Sequence, residues 1–133
     1  MKVKILIVMT LMLAGIGVAL SAEQAGFKRT VLQQVGISVP GREVVSALAE
    51  FQPGVSVGRH THPGEEAGYV LEGTVVVEQE DGKPAVTLGQ GKTFFIPAGT
   101  VHNATNTGSA TARTLATYIV EKGKPLATPA PAR

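Results

Sequence analysis

Two histidines that stand one residue apart are the residues of this sequence best suited to chemistry. His60 and His62 lie in the stretch GVSVGRHTHPGEEAGYVLEG, which runs from Gly54 to Gly73, and Glu66 follows four residues after the second histidine. Because side chains at i and i+2 of a β-strand point to the same face, both imidazoles would lie side by side. A Pro-Gly pair then favours a turn that returns Glu66 towards them. Two imidazoles and a carboxylate can bind iron, manganese, nickel, copper, cobalt or zinc.

A second stretch contains the only other histidine of the chain. It runs from Gly91 to Asn106, reads GKTFFIPAGTVHNATN and includes His102. Pro97 and Gly99 precede this histidine and favour a turn, since proline fixes φ and glycine permits unusual backbone angles. His102 is therefore the candidate for a further metal ligand.

Both stretches resemble the two motifs of the cupin superfamily. The first motif, G-x5-H-x-H-x3-4-E-x6-G, is filled by Gly54, His60, His62, Glu66 and Gly73, and the second, G-x5-P-x-G-x2-H-x3-N, by Gly91, Pro97, Gly99, His102 and Asn106. The 17 residues between the motifs, Thr74 to Gln90, are similar in length to the spacing of small single-domain microbial cupins. The resemblance implies an all-β fold, a small jelly-roll β-barrel of antiparallel strands. It also implies one divalent transition metal (Fe, Mn, Ni, Cu or Zn) bound by His60, His62, Glu66 and His102.

Other residues of the motifs are expected to serve structure. Glu65 competes with Glu66 as the carboxylate ligand, but the motif spacing favours Glu66 and makes Glu65 a solvated neighbour. Asn106 is expected to tie down a turn near the third histidine. The small residues Ser56 and Gly58, on the predicted histidine face of the strand, are expected to leave open space beside the metal.

The remaining chain divides into three further parts. Residues 23–41 are predicted to form an N-terminal segment with a peripheral strand, residues 42–121 the cupin barrel, and residues 122–133 a disordered tail. The tail prediction depends on the composition of KGKPLATPAPAR, which is rich in proline and alanine and has no apolar periodicity. Within the barrel, Arg42 to Phe51 could form a helix from its Ala, Leu and Glu content. We favour a strand, because one is expected directly before the first motif.

The first 22 residues resemble a secretory signal peptide. Two lysines begin it, an apolar run of 16 residues follows from Ile5 to Leu20, and small residues come next. The alternative is an uncleaved membrane anchor, but the run is shorter than the ~20 residues that a spanning helix needs. We therefore expect Sec-type export, cleavage after Ser21 or Ala22, a periplasmic or secreted protein, and no stable membrane anchor afterwards.

The composition excludes several function classes. With 133 residues the chain is long enough for one domain, and its 16 glycines and 8 prolines suggest short strands and tight turns. The absence of cysteine excludes disulfides, thiolate zinc sites and thiol nucleophiles. The net charge of +2 comes from Lys2 and Lys4, since the rest of the chain has ten basic and ten acidic residues. A nucleic-acid partner therefore has no electrostatic support.

Two classes of function remain open. The first is a metalloenzyme of oxygenase type that acts on a small organic molecule, with Glu66 as a metal ligand and catalytic base; isomerase or decarboxylase chemistry would use the same metal as a Lewis acid. The second is a non-catalytic module that binds a metal, or a metal and a small ligand. It is favoured by the lack of an obvious second acid–base group and of a basic clamp for an anionic substrate. Tyr69 and Tyr118 could supply a hydroxyl, but buried tyrosines are common in barrel cores.

A homodimer is expected, since the cupin resemblance implies pairing and one surface pattern agrees with it. Val55 and Val57 would place apolar surface on the strand face opposite the histidines. Phe94 and Phe95 alternate, so that one should line the interior and the other should face outwards.

Overall fold

Ten strands make up the part of the chain that the computed structural model describes, which is residues 24–133. The predicted signal peptide lies outside these residues. No helix long and apolar enough to cross a membrane occurs in residues 24–133. The strands are β1 (Phe27–Gly36), β2 (Arg42–Phe51), β3 (His60–Thr61), β4 (Gly64–Glu72), β5 (Thr74–Gln79), β6 (Val86–Gly89), β7 (Thr93–Ile96), β8 (His102–Asn106), β9 (Ala112–Glu121) and β10 (Thr128–Pro129).

The strands form two five-stranded antiparallel sheets. The first sheet has the order β1-β2-β9-β4-β7 and the second has the order β10-β3-β8-β5-β6. The all-β antiparallel fold predicted from the sequence is therefore confirmed. Arg42–Phe51 is strand β2 and not a helix, because it pairs with β9 along its whole length and with β1 on its other side.

Apolar side chains from both sheets form the core between them. Strand β9 shows why these residues become strands: burial alternates along it from Ala112 to Val120, as expected for a strand with one face against the core. One core cluster contains Phe27, Ala49, Phe51, Val70, Val75, Val77, Leu88, Ile96 and Ala112. A second contains Val45, Ala47, Ala116, Tyr118 and Val120.

The C-terminal segment corrects the prediction of a disordered tail. Thr128–Pro129 is strand β10, which pairs with His60–Thr61 of β3. Leu126 packs against the second core cluster, and the backbone N–H of Ala130 donates to the carbonyl of Arg59 at 2.9 Å. These are mostly backbone contacts along the edge of β3. Backbone contacts need no apolar periodicity in the side chains, so the composition of this segment wrongly predicted a disordered tail.

The segment before β3 also differs from the prediction. Residues 52–59 do not continue that strand, and Ser56 forms only an isolated bridge to β8. The predicted alternation of side chains between two strand faces from Val55 to His62 is therefore wrong. Val55 and Val57 pack against the core, and are not on an outer face. Exposed apolar side chains lie elsewhere, and on β1 they are Val31, Leu32, and Val35.

Candidate metal centre

The three histidines lie together at the junction of two adjacent strands. His60 of β3 and His102 of β8 are directly paired in register, and His62 follows His60 on the same side. The ring centroid of His102 is 4.2 Å from that of His60 and 4.9 Å from that of His62. All three are buried, His60 being the most exposed at 7%. Both motifs thus meet at one point, as the cupin resemblance implies.

Each imidazole directs its Nδ1 atom at a backbone carbonyl. A carbonyl oxygen can only accept a hydrogen bond, so Nδ1 is the protonated nitrogen in each ring. In the neutral ring, Nε2 then carries a free lone pair. The accepting carbonyls belong to Gly58, Leu126 and Thr100, at 2.7, 2.5 and 2.8 Å from Nδ1 of His60, His62 and His102.

Glu66 of β4 brings a carboxylate to the same point from the other sheet. Its Oε2 atom is 3.1 Å from Nε2 of His62 and 3.2 Å from Nε2 of His102. Burial opposes ionisation of Glu66, but His102 and His62, when each carries a second proton on Nε2 and donates it to Oε2, outweigh burial and hold the pKa of Glu66 well below its usual range. Glu65 lies on the opposite, less buried face of β4. The structure therefore places Glu66, and not Glu65, beside the histidines.

These converging atoms fit a cation. Nε2 of His62, Nε2 of His102 and Oε2 of Glu66 are buried, and none has a hydrogen-bond partner within residues 24–133. With each ring proton on Nδ1, the lone pairs face one another and repel. A metal ion would accept all of them at once. The ligating nitrogens of the three histidines lie within 4.8 Å of one another and could hold such an ion; three imidazoles beside a carboxylate suit a divalent transition metal.

The protonation of His60 agrees with this arrangement. Burial lowers the pKa of His60 from 6.5 to about 4, and the charges of neighbouring groups add to the effect. The ring is therefore neutral at physiological pH. A metal binds only the neutral imidazole, so His60 is already in the ligating form.

The turn before His102 is joined to the first motif by the backbone. The N–H of Gly99 donates to the carbonyl of His62 at 3.2 Å. Gly99 has a φ of 70°, a left-handed conformation that favours glycine. The bond helps to fix the position of His102 relative to His62, and the left-handed φ explains why glycine is favoured at this position.

Asn106 has the structural role that the sequence predicts. Its side chain is fully buried, and its hydrogen bonds hold the turn after β8 to the end of β2. The amide nitrogen donates to the carbonyls of Phe51 at 3.0 Å and Ala110 at 2.8 Å, and the amide oxygen accepts from the N–H of Gly108 at 2.9 Å.

A small cavity lies between the sheets next to the histidines and Glu66. About 30 Å³ of it is open to the centre of a water molecule. Its wall beside the first motif is Val57, and not the small residues Ser56 and Gly58 that the sequence suggested. Phe94 lines the cavity while Phe95 is exposed, as their alternation predicts. The rest of the wall is mostly apolar and includes Phe27, Phe51, Val75, Val77 and Ala104.

Tyr118, one of the two tyrosines that the sequence offers as a hydroxyl donor, belongs to the second core cluster and also lines the cavity. It is 1% exposed, and it lies on β9 directly opposite Glu66 of β4. Its ring centroid is 4.7 Å from that of His62. Burial, followed by the charge of Glu66, raises the pKa of Tyr118 well above its usual value, so the phenol keeps its proton. The alternation of β9 predicts an inward Tyr118, but only the strand pairing brings it to Glu66.

Arg29 is a cavity residue that the sequence does not indicate. It comes from β1, at the edge of the first sheet, and it lines the cavity together with His60 and Glu66. The sequence interpretation found no basic clamp beside the site, and the position of Arg29 corrects this. No local pattern marks the residue, because β1 reaches the cavity only through the twist and closure of the sheets.

Comparison with known proteins identifies the fold and the family. Residues 47–118 match the Cupin domain family. Over 71 residues the chain is 32% identical to the beta-alanine degradation protein BauB of Pseudomonas aeruginosa, and the match covers 53% of this chain and 75% of that protein.

Two solved structures are similar in fold. The DMSP lyase DddQ of Ruegeria pomeroyi matches with a TM-score of 0.64 and 24% identity, over 77% of this chain and 51% of that one. An oxalate oxidase in complex with the substrate analogue glycolate matches with a TM-score of 0.62 and 22% identity, over 78% of this chain and 56% of that one. This chain thus spans about half the length of either protein. Since the family match extends over more than half of its residues, the chain belongs to the cupin family.

Proposed function

We propose that this protein is a mononuclear metalloenzyme in which His60, His62, Glu66 and His102 bind one divalent transition metal. The observation that carries the proposal is the convergence of buried polar atoms of His62, His102 and Glu66, which have no hydrogen-bond partner among the described residues. A structural zinc site would be closed by its ligands. Here a cavity borders the ligands, so a small molecule could reach the ion.

The metal ion and the residues around it would have different chemical roles. A bound ion would supply Lewis-acid chemistry, and redox chemistry if it is iron, manganese, nickel or copper. Glu66 brings a carboxylate to the site and would be the group that accepts a proton from a substrate. Tyr118 is a neutral phenol and can donate a hydrogen bond to a developing negative charge. The apolar wall keeps bulk water away and strengthens both interactions.

We propose that the reaction is of oxygenase type, with a small organic molecule as substrate. The oxalate oxidase and the DMSP lyase share the fold and act on small molecules, and the Pseudomonas relative is named for beta-alanine degradation. Isomerase or decarboxylase chemistry at the same metal is the alternative within the enzyme class. A non-catalytic module that holds the metal and a small ligand is favoured by one observation, the small volume of the cavity.

Metal content decides the first part of the proposal. Protein purified from its native location should carry close to one transition metal per chain, and the His60→Ala/His102→Ala double variant should carry none. Glu66→Gln should weaken metal binding, while Glu65→Gln, the matched change on the outer face of β4, should not. A wild-type protein that neither carries nor takes up metal would exclude the enzyme.

Oxygen consumption decides between the classes. The metal-loaded protein would be tested in an oxygen electrode with short organic acids, phenols and sugars, beside its Glu66→Gln and Glu65→Gln variants. Metal-dependent uptake that is lost only in Glu66→Gln supports the oxygenase and excludes the binding module. Full metal loading with no uptake, but with conversion of a substrate under nitrogen, would favour an isomerase or decarboxylase.

We also propose that the protein is exported through its N-terminal 22 residues and acts in the periplasm or outside the cell. The basic start, the apolar run and the small residues after it support this. Mass spectrometry of the mature protein should find an N-terminus at Ala22 or Glu23 in the exported fraction. A full-length chain in the membrane fraction would refute the proposal.

We propose that the protein pairs as a homodimer through the edge strand β1. The dimer surface expected around Val55 and Val57 is not available, since both pack inwards. Val31, Leu32 and Val35 instead expose between 48% and 57% of their surface on an edge strand. Light scattering should give a dimer mass for the wild type and a monomer mass for Leu32→Lys. A wild-type monomer at micromolar concentration would contradict this.

A further inference from the structure

Arg29 brings a positive charge into the metal cavity. Its backbone pairs with Ala49 of β2, whose side chain is buried, so Arg29 is directed to the inner face of the sheet. Its guanidinium carbon lies 5.4 Å from the centroid of the Phe27 ring. The side chain lines the same cavity as His60 and Glu66. The residue therefore faces the proposed metal ligands across a small space.

This guanidinium has no acidic partner in the described part of the chain. Its Nε atom is buried and lacks a hydrogen-bond partner within residues 24–133, and no carboxylate of these residues lies within 4 Å of it. Three of the other four arginines in residues 24–133 make the contrast clear, and the fourth, Arg42, donates to the carbonyl of Pro63. Arg59, Arg113 and Arg133 each pair with a glutamate at the surface, where such pairs contribute little. Arg29 is partly buried and directs its charge at the cavity, where Glu66 is the one carboxylate among the lining residues and makes no ion pair with it.

A metal ion bound at the site would increase the net positive charge of the cavity. A divalent ion and Arg29 contribute three positive charges, and Glu66 contributes one negative charge. A net positive charge in a mostly apolar cavity is costly unless an anion enters. A carboxylate fits best, because its two oxygens match the planar donors of a guanidinium. The open volume of about 30 Å³ admits only a few atoms.

We propose that Arg29 binds the carboxylate group of a short organic acid beside the metal, so that the substrates of this protein are small carboxylic acids. The inference rests on the proposed function, because the ion and Arg29 together define the ligand. Arg29 would hold the carboxylate at one end of the cavity, while the rest of the molecule lies towards the histidines and Glu66.

A purely structural role for Arg29 makes different predictions. The side chain could serve only to pack its stem and its cation against Phe27. Arg29→Met keeps most of the stem and removes the charge, and Arg29→Lys keeps the charge and removes the planar donors. Lys28→Met is the matched control, since Lys28 is the adjacent residue of β1, is exposed and lies on its opposite face. A structural Arg29 would change stability but not the preference for acids.

The test is isothermal titration calorimetry of the metal-loaded protein with glycolate and with its neutral analogue glycolamide. We expect wild type and Lys28→Met to bind glycolate, and both to bind glycolamide much more weakly. Arg29→Met should bind glycolate at least about tenfold more weakly, and Arg29→Lys should lie in between. Equal glycolate affinity in Arg29→Met and wild type would overturn the inference. So would equal affinity of wild type for glycolate and glycolamide.

Metal affinity, measured on the same variants by chelator competition, separates this inference from the proposed function. Arg29→Met should keep its metal, because the variant removes a positive charge and no ligand. If the wild type takes up no metal, the proposed function fails, and the metal-free protein is then titrated with glycolate. Glycolate binding that depends on Arg29 supports the inference about Arg29. No glycolate binding overturns it. If circular dichroism shows that Arg29→Met does not fold, Arg29→Lys decides, and unchanged glycolate affinity counts against the inference.

Discussion

Removing the last nine residues, Pro125 to Arg133, takes away the carbonyl that orients a proposed metal ligand. Leu126 accepts a hydrogen bond from Nδ1 of His62 at 2.5 Å, and its side chain packs on the second core cluster. Such outer partners of metal-bound histidines typically change metal affinity by about 10- to 100-fold. A chain that ends at Lys124 should therefore lose about 1.4 to 2.7 kcal/mol of metal-binding free energy.

The matched control is a chain that ends at Ala130. It loses the contacts of Arg59 with Pro131 and of Arg133 with Glu80, but it keeps Leu126 and strand β10. Because exposed pairs are worth little, its metal affinity should stay within about twofold of wild type. Both chains would be titrated against a chelator, with circular dichroism to show that they are folded. A folded chain ending at Lys124 that binds metal as tightly as wild type would refute the role of Leu126.

Three further perturbations test the packing and electrostatics of the site. Gly68→Ala would push a Cβ into the ring of Phe94 and should lower the free energy of unfolding, measured in urea, by about 1 to 3 kcal/mol. The control Gly89→Ala has open space around it and should change this free energy by less than about 0.5 kcal/mol. Equal effects of the two variants would contradict the packing of Gly68 against Phe94. In metal-free protein, His60 has a folded pKa of about 4 against 6.5 unfolded, so the unfolded chain takes up the proton first. The free energy of unfolding should then fall by up to about 3 kcal/mol between pH 6.5 and pH 4, and a His60→Ala variant with the same fall would exclude this cause. Asn106→Ala leaves two carbonyls and one N–H without partners and should cost about 3 kcal/mol or more; a loss below about 1 kcal/mol would contradict its role.

The fold and the cluster of His60, His62, Glu66 and His102 could be predicted because the two motifs resemble those of the cupin superfamily, and part of the geometry of these motifs has local causes. Two histidines at i and i+2 share a strand face, and the turn before His102 needs Gly99 at a positive φ. Such features depend on only a few consecutive residues. The register between β3 and β8 then follows from the closure of the barrel, and it places His60 opposite His102.

The errors have equally physical causes. Residues 122–133 have a composition typical of a disordered tail, yet they are held by backbone bonds to an open strand edge. Backbone pairing of this kind leaves no periodic trace in the side chains. A regular strand before His60 would place Val57 on the outer face. Residues 52–59 form no regular strand, and Val57 lines the cavity instead.

The sequence does not indicate Arg29, and it offers Tyr118 only as one of two candidate hydroxyl donors, because each reaches the site through pairing between distant strands. Glu66 and Tyr118 are neighbours across β4 and β9, and Arg29 is brought in from β1 at the sheet edge. Tyr118 is the last residue of the segment that matches the cupin family, and Arg29 lies before its first residue. The family segment thus contains every proposed metal ligand but not the charge that would select an acid. It follows that chains with the same two motifs can differ in substrate through β1 alone, and that exchanging Arg29 should alter ligand choice while the metal site stays intact.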